Sequence, residues 1–352
     1  MRISLLAIFV LCIIVVSCKK DEDTGNEEEY TKSEWIKNAF NSIEANKYPR
    51  VKAISWWHED FDNSFLRINS SSESLSAYKK AIASSSFIVT PNIDSNKLVE
   101  PSSGIYHSAY PDFGGTEDIV TTKRITDFEN LVNKEIVWAY FSNNWYDNIH
   151  FPLTEVDVIK SAGKIPFIRI MPRTNFDEGG PDPNYTMQKI LDGNFDSELT
   201  QWAIDASNTN TPLLVEFGTE VNGNWFPWNG QYNGAGETSE YGDTDYPDGA
   251  ERFRDAYRHI VDICNANGAN NITWFFHVDA YSEPDVDWNK IDKYYPGDNY
   301  VDWIGVSVYG PQESDEDYQE FSEIMNDVYP SLVGLSNNKP IAILEFAITE
   351  IK

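Results

Sequence analysis

Two glutamates, Glu220 and Glu345, stand at the ends of short apolar runs and could carry acid–base chemistry. Residues 213–217 read LLVEF, which is typical of a buried parallel strand, and Glu220 follows shortly after it. Trp225, Phe226 and Trp228 come next, on what should be a loop. A carboxyl that protonates a glycosidic oxygen, beside flat rings that stack on sugar faces, predicts a carbohydrate cleft. The competing interpretation is that these rings only pack the loop against its own fold.

Glu345 ends a second strand-like run at residues 341–346. It lies about 125 residues after Glu220, which at roughly 40 residues per strand–helix unit is three strands of an α/β barrel. The two carboxyls would then face each other across the mouth of the barrel, the minimal arrangement for hydrolysing a glycosidic bond. The alternative is a strand-end acid paired with a neighbouring Arg or Lys.

The elements that must position these acids alternate along the chain. Strand-like runs are residues 51–57, 104–107, 135–140, 165–170, 213–217, 272–277, 303–308 and 341–346. Helical periodicity is clearest at residues 35–43, 74–83, 153–162, 198–206 and 252–266. Eight strands alternating with helices predict an α/β fold, a closed (β/α)8 TIM barrel, formed by residues 31–352 as one domain.

The first 30 residues are predicted to lie outside the barrel. Residues 1–17 combine Arg2 with an apolar run that is short for a bilayer span, as in a secretory signal. The letters VVSC at residues 15–18 resemble a bacterial lipobox, so Cys18 is expected to carry lipid; the alternative is an ordinary signal peptide. Residues 18–30 are charged and predict a solvated tether. We expect a lipid anchor in a bacterial outer membrane, on its periplasmic or outer side.

The formal net charge of −29 argues against nucleic acid and anionic membranes as partners, and fits neutral or cationic ligands. Aromatic residues make up 14% of the chain, more than a core requires, so the surplus should line a cleft or surface. Cys264 is the one cysteine outside the N-terminal segment, so neither a disulfide nor a zinc site is predicted. The acidic residues 243–248 could bind calcium, but their spacing matches no specific calcium site, and a solvated acidic loop is the favoured interpretation. We expect no metal or cofactor, and a monomer.

Three segments together resemble glycoside hydrolase family 26. The letters EVNGNWFPW at residues 220–228 are similar to the family's acid/base motif, and KPIAILEF at 339–346 to its nucleophile strand. The letters VDWIGVSVY at 301–309 are similar to the strand whose final tyrosine holds the nucleophile. The resemblance implies a retaining endo-β-1,4-mannanase acting by double displacement, with Glu345 as nucleophile and Glu220 as acid/base. The alternatives are a β-1,3-xylanase, a mixed-linkage glucanase, or a glycan-binding lipoprotein without catalysis.

The same resemblance implies further site residues. Tyr309 would hold Glu345, while Trp225 and Trp228 would shield Glu220. Trp56 or Trp57 would form the platform under the sugar at the scissile bond, and Trp56 is preferred. Other candidates for sugar contacts, each as compatible with a structural role, are Asn222, His107, His277 and Trp145. Arg169, inside an apolar strand, must be paired, and a barrel carboxylate is the expected partner.

Thr219 departs from the family pattern. The family has a histidine directly before the acid/base glutamate, whereas the threonine here can donate one hydrogen bond but cannot carry positive charge. The departure concerns the subsite beside the scissile bond, and so mannan specificity, more than it concerns hydrolysis.

The order of the strands also departs from the family, in which one more strand follows the nucleophile strand. Only six residues follow residue 346 here. The letters YPRVKAISWW at residues 48–57 resemble the family's last strand with its terminal aromatic. We therefore expect a circular permutation in which the N-terminal segment supplies the last helix–strand unit. Residues 51–57 should then lie between the strands of Glu345 and His107.

Overall fold

The computed structural model describes residues 30–350 apart from 62, 177–178 and 314–315. Eight parallel strands form its barrel: β1 Val51–Trp57, β2 Ile105–Tyr110, β3 Trp138–Asn144, β4 Ile165–Met171, β5 Leu213–Phe217, β6 Ile272–Asp279, β7 Trp303–Tyr309 and β8 Ile341–Ala347. Neighbours in the sheet follow chain order, and β1 pairs with both β8 and β2, so the sheet closes on itself. The (β/α)8 TIM barrel is confirmed. The predicted signal, the tether and Cys18 lie outside the described residues.

Helices surround the barrel. They are α1 Lys32–Glu44, α2 Ser72–Ile82, α3 Thr122–Val132, α4 Leu153–Ser161, α5 Met187–Leu191, α6 Asp196–Asn208, α7 Asp248–Ala266, α8 Ile291–Tyr294 and α9 Phe321–Leu335. Short 3-10 turns at Gly230–Tyr232 and Asp287–Asn289 lie in the loops after β5 and β6. Within the described residues, none of these helices combines the length and apolarity that crossing a membrane requires.

Three short β-elements accompany the eight barrel strands. The ribbon of Asp60–Phe61 with Ser64–Phe65 follows β1, and the ribbon of Ile93–Asp94 with Lys97–Leu98 precedes β2. The short strand Phe87–Ile88 pairs in parallel with the start of β2.

Helix α1 shows how local sequence sets the first unit of the barrel. Thr31 and Glu34 form a capping box that satisfies the free backbone N–H groups at its start. The predicted apolar face is buried, and Trp35 packs on Phe346 of β8 with ring centroids 6.2 Å apart. The helix therefore lies directly behind the strand that carries Glu345.

Strand β3 is the least well predicted, because it begins at Trp138 and continues to Asn144. Its last three residues, Ser142, Asn143 and Asn144, are polar and lie beyond the predicted strand. All three are buried, and Asn143 accepts a hydrogen bond from the Trp202 indole of α6 at 3.1 Å. Buried polar side chains with hydrogen-bond partners can continue a strand, so polarity did not mark the end of this one.

Strand β1 lies where the permutation required it. Val51 pairs with Ile341 of β8, and Ile54 pairs with His107 of β2. Any eight-stranded barrel built in chain order has the same neighbours at its closure. The position of β1 therefore does not distinguish a circularly permuted barrel from an unpermuted one, and the permutation stays a prediction.

Candidate active site

Glu220 sits on a strained turn after β5. Its backbone φ is +48°, in the left-handed region that costs energy for any residue other than glycine, and Gly218 before it has φ +64°. Strain of this kind persists where the surrounding structure imposes it, and it concentrates at functional sites. The turn brings the Glu220 carboxyl over the mouth of the barrel, where its side chain is 7% exposed.

The loop that follows folds an indole onto this acid. Trp225 donates its Nε1–H to Oε2 of Glu220 at 2.8 Å, so the two side chains predicted to work together are in contact. Gly223 permits the approach, because a Cβ at this position would overlap the Trp225 ring. A glycine is therefore sterically required at position 223 of the motif.

Trp228 supports this loop from below and does not face the cleft. It is fully buried, stacks on Phe226 with centroids 4.5 Å apart, and donates its Nε1–H to the backbone oxygen of Thr219 at 2.7 Å. The prediction that Trp228 contacts substrate is wrong. A buried indole must place its N–H on an acceptor, and the nearest one is the backbone beside the acid.

Glu345 lies at an irregularity of β8. Val306 of β7 pairs with Ile343, but the next residue, Ser307, pairs with Glu345, so β8 carries one extra residue. Such a bulge re-aims a side chain relative to simple alternation. It brings the Glu345 carboxyl into the barrel mouth, where the Tyr309 hydroxyl donates to its Oε2 at 2.8 Å, the contact predicted for this tyrosine.

Arg169 of β4 lies beneath the site and confirms the prediction that it pairs with barrel carboxylates. Its guanidinium contacts Glu117 at 2.6 Å, Glu216 at 3.4 Å and Glu345 at 3.2 Å. It also lies over the Trp57 ring, 5.2 Å from the centroid. Glu345 thus has a buried cation in contact, whereas Glu220 has no ion pair with a described residue.

The electrostatic surroundings separate the roles of the two acids. Burial raises the pKa of both Glu220 and Glu345 to about 7. For Glu220, the neighbouring Asp279 carboxylate raises the pKa further, whereas for Glu345 the Arg169 guanidinium opposes the effect of burial. When the pair holds one proton, the cation therefore keeps Glu345 ionised and leaves the proton on Glu220.

The spacing of the two acids fits chemistry at a single anomeric carbon. An oxygen of Glu220 and an oxygen of Glu345 lie within 4.8 Å of each other. Carboxyls that act by retention are about 5–5.5 Å apart, and those that act by inversion are about 6.5–9.5 Å apart. The observed oxygen–oxygen separation is nearer to the first class than to the second.

A cleft of about 850 Å³ opens above the two carboxyls. Aromatic rings line it, among them Trp57, Phe61, Phe176, Trp225, Phe226 and Tyr309. Further acids also line it, namely Glu59, Asp60, Glu117, Asp279, Glu316 and Asp317. The rings offer flat apolar surfaces, and the acids offer acceptors for hydroxyl groups and a negative field that repels anions.

Of the two tryptophans at the end of β1, the one in the cleft is Trp57. Its ring stacks on Tyr110, with centroids 4.0 Å apart. Trp56 is fully buried, packs on Phe346 with centroids 5.0 Å apart, and donates its Nε1–H to the backbone oxygen of Leu66. Successive side chains of a strand point to opposite faces. The preference for Trp56 as the platform is therefore wrong.

His107 and Trp145 also point away from the cleft, and the prediction that they contact sugar is wrong. His107 is fully buried between the Tyr78 hydroxyl at 2.9 Å and the backbone oxygen of Glu135 at 2.8 Å. It is not at a strand end, because β2 continues to residue 110. Trp145 is buried against Tyr185, with centroids 5.1 Å apart.

Asn222 and His277 lie beside the site, but other protein groups occupy their polar atoms. Asn222 donates to the backbone oxygen of Asp279 at 3.0 Å and accepts from its N–H at 2.8 Å, which fixes the end of β6. The ring nitrogens of His277 contact Glu216 and Ser307, each at 2.9 Å. These contacts replace the predicted sugar contacts with supporting ones.

Two acids of the site were missed in the sequence. Glu216 interrupts the apolar run of β5 and is fully buried; a charge inside such a run signals a buried polar network. Glu59 lines the cleft just after β1, is 9% exposed, and has no side-chain hydrogen bond or ion pair to another described residue. Burial and the nearby Glu117 raise its pKa to about 8. Nothing in the sequence around Glu59 distinguishes it from a surface acid.

One set of ligand-type atoms in the described ranges is close enough to share a cation. It comprises Glu220, His277 and Glu345, with the three atoms within 4.8 Å of one another. Each of these residues already holds a hydrogen bond to a protein side chain.

Comparison with known proteins places this geometry in a family. The model of glycosyl hydrolase family 26 matches residues 182–347, a segment that contains Glu220, Tyr309 and Glu345. The resemblance of the sequence to glycosyl hydrolase family 26 is confirmed over these residues. The family match begins after β4, so the first half of the barrel lies outside it.

Two curated relatives show what this chain is similar to. Endoglucanase H from Acetivibrio thermocellus is 28% identical over 230 residues, which are 64% of this chain and 23% of that protein. Mannan endo-1,4-beta-mannosidase A and B from Caldalkalibacillus mannanilyticus is 28% identical over 141 residues, which are 40% of this chain and 23% of that protein. The chain thus matches less than a quarter of the length of either relative.

Among solved structures, the catalytic domain of the Bacillus sp. JAMB-750 GH26 endo-beta-1,4-mannanase resembles the chain with a TM-score of 0.49 and 13% identity. The alignment covers 92% of this chain and 75% of that one.

Proposed function

We propose that this chain is a retaining endo-glycoside hydrolase that cleaves a β-linked polysaccharide, with β-1,4-mannan as its first candidate substrate. The observation that carries the proposal is the pair of Glu220 and Glu345. Their oxygens lie within 4.8 Å of each other beneath an aromatic cleft, and a cation contacts only one of them.

In the first step, an ionised oxygen of Glu345 attacks the anomeric carbon and forms a glycosyl–enzyme ester. The bond from that carbon to the glycosidic oxygen breaks, and Glu220 gives its proton to the departing oxygen. Arg169 and Tyr309, at 3.2 and 2.8 Å from the attacking carboxylate, fix its orientation.

In the second step, Glu220, now ionised, takes a proton from water. The water oxygen attacks the anomeric carbon, and the ester bond to Glu345 breaks. Two inversions at the same carbon retain its configuration, and each carboxyl returns to its starting protonation state.

The cleft supports a polymeric, uncharged substrate. Its 850 Å³ lies near the upper end of the roughly 300–1,000 Å³ of small-molecule sites, which leaves room for more than one sugar ring. Trp57, Trp225 and Phe226 supply faces for stacking, and the acidic lining disfavours uronic or sulfated sugars.

A β-glucan is the second candidate, and two observations favour it. The endoglucanase relative aligns with 64% of the chain, against 40% for the mannosidase. The Thr219 hydroxyl, in place of the family's histidine, lies 2.8 Å from Nδ1 of His277, so it is engaged within the protein. A β-1,3-xylan and binding without turnover remain the other outcomes of the test.

The permutation and the lipid anchor enter as parts of the same proposal. Residues 1–30 would place the barrel at a bacterial outer membrane through lipid on Cys18. Replacement of Cys18 by Ser should abolish incorporation of labelled palmitate and release the protein from the membrane fraction, whereas incorporation that persists would contradict the anchor.

The test of function is the release of reducing sugar from β-mannan, galactomannan, β-1,3-xylan, mixed-linkage glucan and cellulose. Glu220→Gln and Glu345→Gln keep shape and remove the carboxyl chemistry, while Asp285→Asn, on an exposed acid, is the matched control. We expect one polymer to be cleaved by the wild type and the control alone. If the protein migrates more slowly in a glycan-containing gel but releases no reducing sugar, the hydrolase proposal fails and a glycan-binding protein takes its place.

A further inference from the structure

We propose that Ser307 and His277 form a positioning relay that lets Glu220 alternate between acid and base, an inference that rests on the proposed function. Neither residue touches the sugar in this account. The relay acts through the orientation of one hydroxyl hydrogen and the charge of one imidazole.

The far end of the relay fixes which nitrogen of His277 carries a proton. Nδ1 lies 2.9 Å from Oε2 of Glu216, and the other oxygen of Glu216 accepts the Tyr140 hydroxyl at 2.6 Å. His277, Tyr140 and Arg169 outweigh the effect of burial and lower the pKa of Glu216, so this carboxyl is ionised. An ionised carboxylate can only accept, and Nδ1 must therefore donate to it.

The near end of the relay reaches the acid/base. Nε2 of His277 lies 2.9 Å from Oγ of Ser307, and hydrogen bonding by the same hydroxyl opposes the effect of burial on the pKa of the Glu220 carboxyl. The nearest ligand atoms of His277 and Glu220 lie within 4.8 Å of each other. The Ser307 hydroxyl thus stands between an imidazole nitrogen and the acid/base.

One set of hydrogen bonds serves both forms of Glu220. With His277 cationic, Nε2–H donates to Oγ of Ser307, and the Ser307 hydroxyl donates to the Glu220 carboxyl. Glu220 gives its own proton to the departing oxygen in the first step and takes one from water in the second, so Ser307 and His277 neither gain nor lose a proton. The Ser307 hydrogen bond and the charge of His277 stabilise the ionised form of Glu220.

The relay supplies a counter-charge to Glu220 when that carboxyl is ionised. Between the two chemical steps Glu345 is a neutral ester, Glu220 is an ionised, buried carboxylate, and the acid that faces it is Asp279. The Tyr309 hydroxyl is engaged by Glu345, and the Arg169 cation contacts Glu345. An imidazolium one hydroxyl away is the counter-charge that the described residues offer to Glu220.

His277 is suited to hold that charge. Although burial lowers the pKa of its imidazole, contact with Glu216 and the nearby Glu345 and Glu220 raise it, and the net shift is upward. The hydroxyl of Thr219 lies 2.8 Å from Nδ1, on the side away from Ser307. Its replacement should therefore disturb the ring without breaking the path to Glu220.

The first test is the pH dependence of kcat/KM with a natural polymer, in which the alkaline limb reports loss of the proton from Glu220. Ser307→Ala removes a donor to the ionised form, and His277→Gln removes the nearby positive charge. Both changes disfavour the ionised carboxylate, so both should move the alkaline limb to higher pH, by about one unit. Ser55→Ala, at a buried strand serine whose hydroxyl has no hydrogen-bond partner among the described residues, is the matched control and should leave the limb in place.

Loss of activity in Ser307→Ala and His277→Gln with the limb unmoved would show a structural role only and overturn the relay. A shift of the limb to lower pH would also overturn it, because the relay stabilises the ionised form. Restoration of the original limb by Ser307→Thr, which keeps the hydroxyl, is the expected rescue.

A second readout separates the relay from the proposed function. The chain has five histidines, so the ring nitrogens of ¹⁵N-labelled His277 can be followed by NMR without substrate. We expect a titration step of Nε2 that moves to lower pH in Glu220→Gln, which removes an anion that raises the pKa of His277, and in Ser307→Ala, which removes the acceptor of Nε2–H. If no polymer is cleaved but this step behaves as described, the relay stands and the hydrolase fails. If a polymer is cleaved and the step is absent from the wild type, the relay alone fails.

Discussion

The guanidinium of Arg169 lies 3.2 Å from Oε1 of Glu345 in an ion pair that is almost fully buried. This contact favours the ionised nucleophile, so Arg169→Gln should raise the pKa of Glu345 and move the acid limb of the kcat/KM profile to higher pH. It should also reduce the free energy of unfolding by roughly 3–5 kcal/mol, since buried carboxylates lose their cation. The measurements are a pH–rate profile and urea unfolding; an unmoved acid limb would contradict the role assigned to this pair.

Tyr309 should contribute to kcat through one hydrogen bond. Tyr309→Phe removes a donor to the charged Glu345, and a hydrogen bond to a charged group contributes about 1.5–3 kcal/mol, or roughly a 10–150-fold loss of kcat/KM. Tyr78→Phe is the control, because that hydroxyl bonds His107 away from the cleft. Equal losses in the two variants would show that the hydroxyl of Tyr309 has no special role.

Substitution of Trp57 should impair substrate binding, whereas substitution of Trp56 should lower stability. Trp57→Ala removes a stacking face and should lower kcat/KM roughly tenfold or more, since such contacts contribute on the order of 1 kcal/mol beyond the buried area. Trp56→Phe leaves a gap beside Phe346 and should lower Tm with KM unchanged. If KM instead rises in the Trp56 variant and stays unchanged in the Trp57 variant, Trp56 is the platform under the sugar.

The buried carboxyl of Glu59 should lower the stability of the folded protein as the pH rises. Because burial and nearby acids raise its folded-state pKa to about 8, the folded protein holds a proton that the unfolded chain releases near pH 4.5. Stability is then lost between these two pH values, and Glu59→Gln, which cannot ionise, should avoid the loss. The Tm gain of this variant should be larger at pH 8 than at pH 5. A gain that is equal at the two pH values would contradict the buried, protonated state.

The parts of the site that the sequence predicted are those set by local order along the chain. Glu220, Trp225, Tyr309 and Glu345 follow strands whose β-branched and apolar runs are unambiguous, and parallel strands end at one face of a barrel. The same logic identified all eight strands. Where the strand ends were misjudged, as for His107, the side chain was assigned to the wrong place.

The remaining errors concern which way a side chain points and what it meets across the barrel. Alternation indicates that only one of Trp56 and Trp57 faces the cleft, but the sequence does not reveal which one. The bulge at Glu345 and the contacts of Glu216 with His277 depend on the register of neighbouring strands. Register is a property of the closed sheet, so no single segment of the sequence predicts it.

The most direct test of the central claim is to trap the glycosyl–enzyme and locate the bond. The protein would be incubated with 2,4-dinitrophenyl 2-deoxy-2-fluoro-β-glycosides of the manno and gluco series, and its peptides analysed by mass spectrometry. The account predicts one added fluoroglycosyl group, on the peptide that contains Glu345, and faster labelling in whichever series matches the polymer cleaved. Labelling of Glu220 or another residue, or unlabelled protein that cleaves the polymer with inversion, would contradict it.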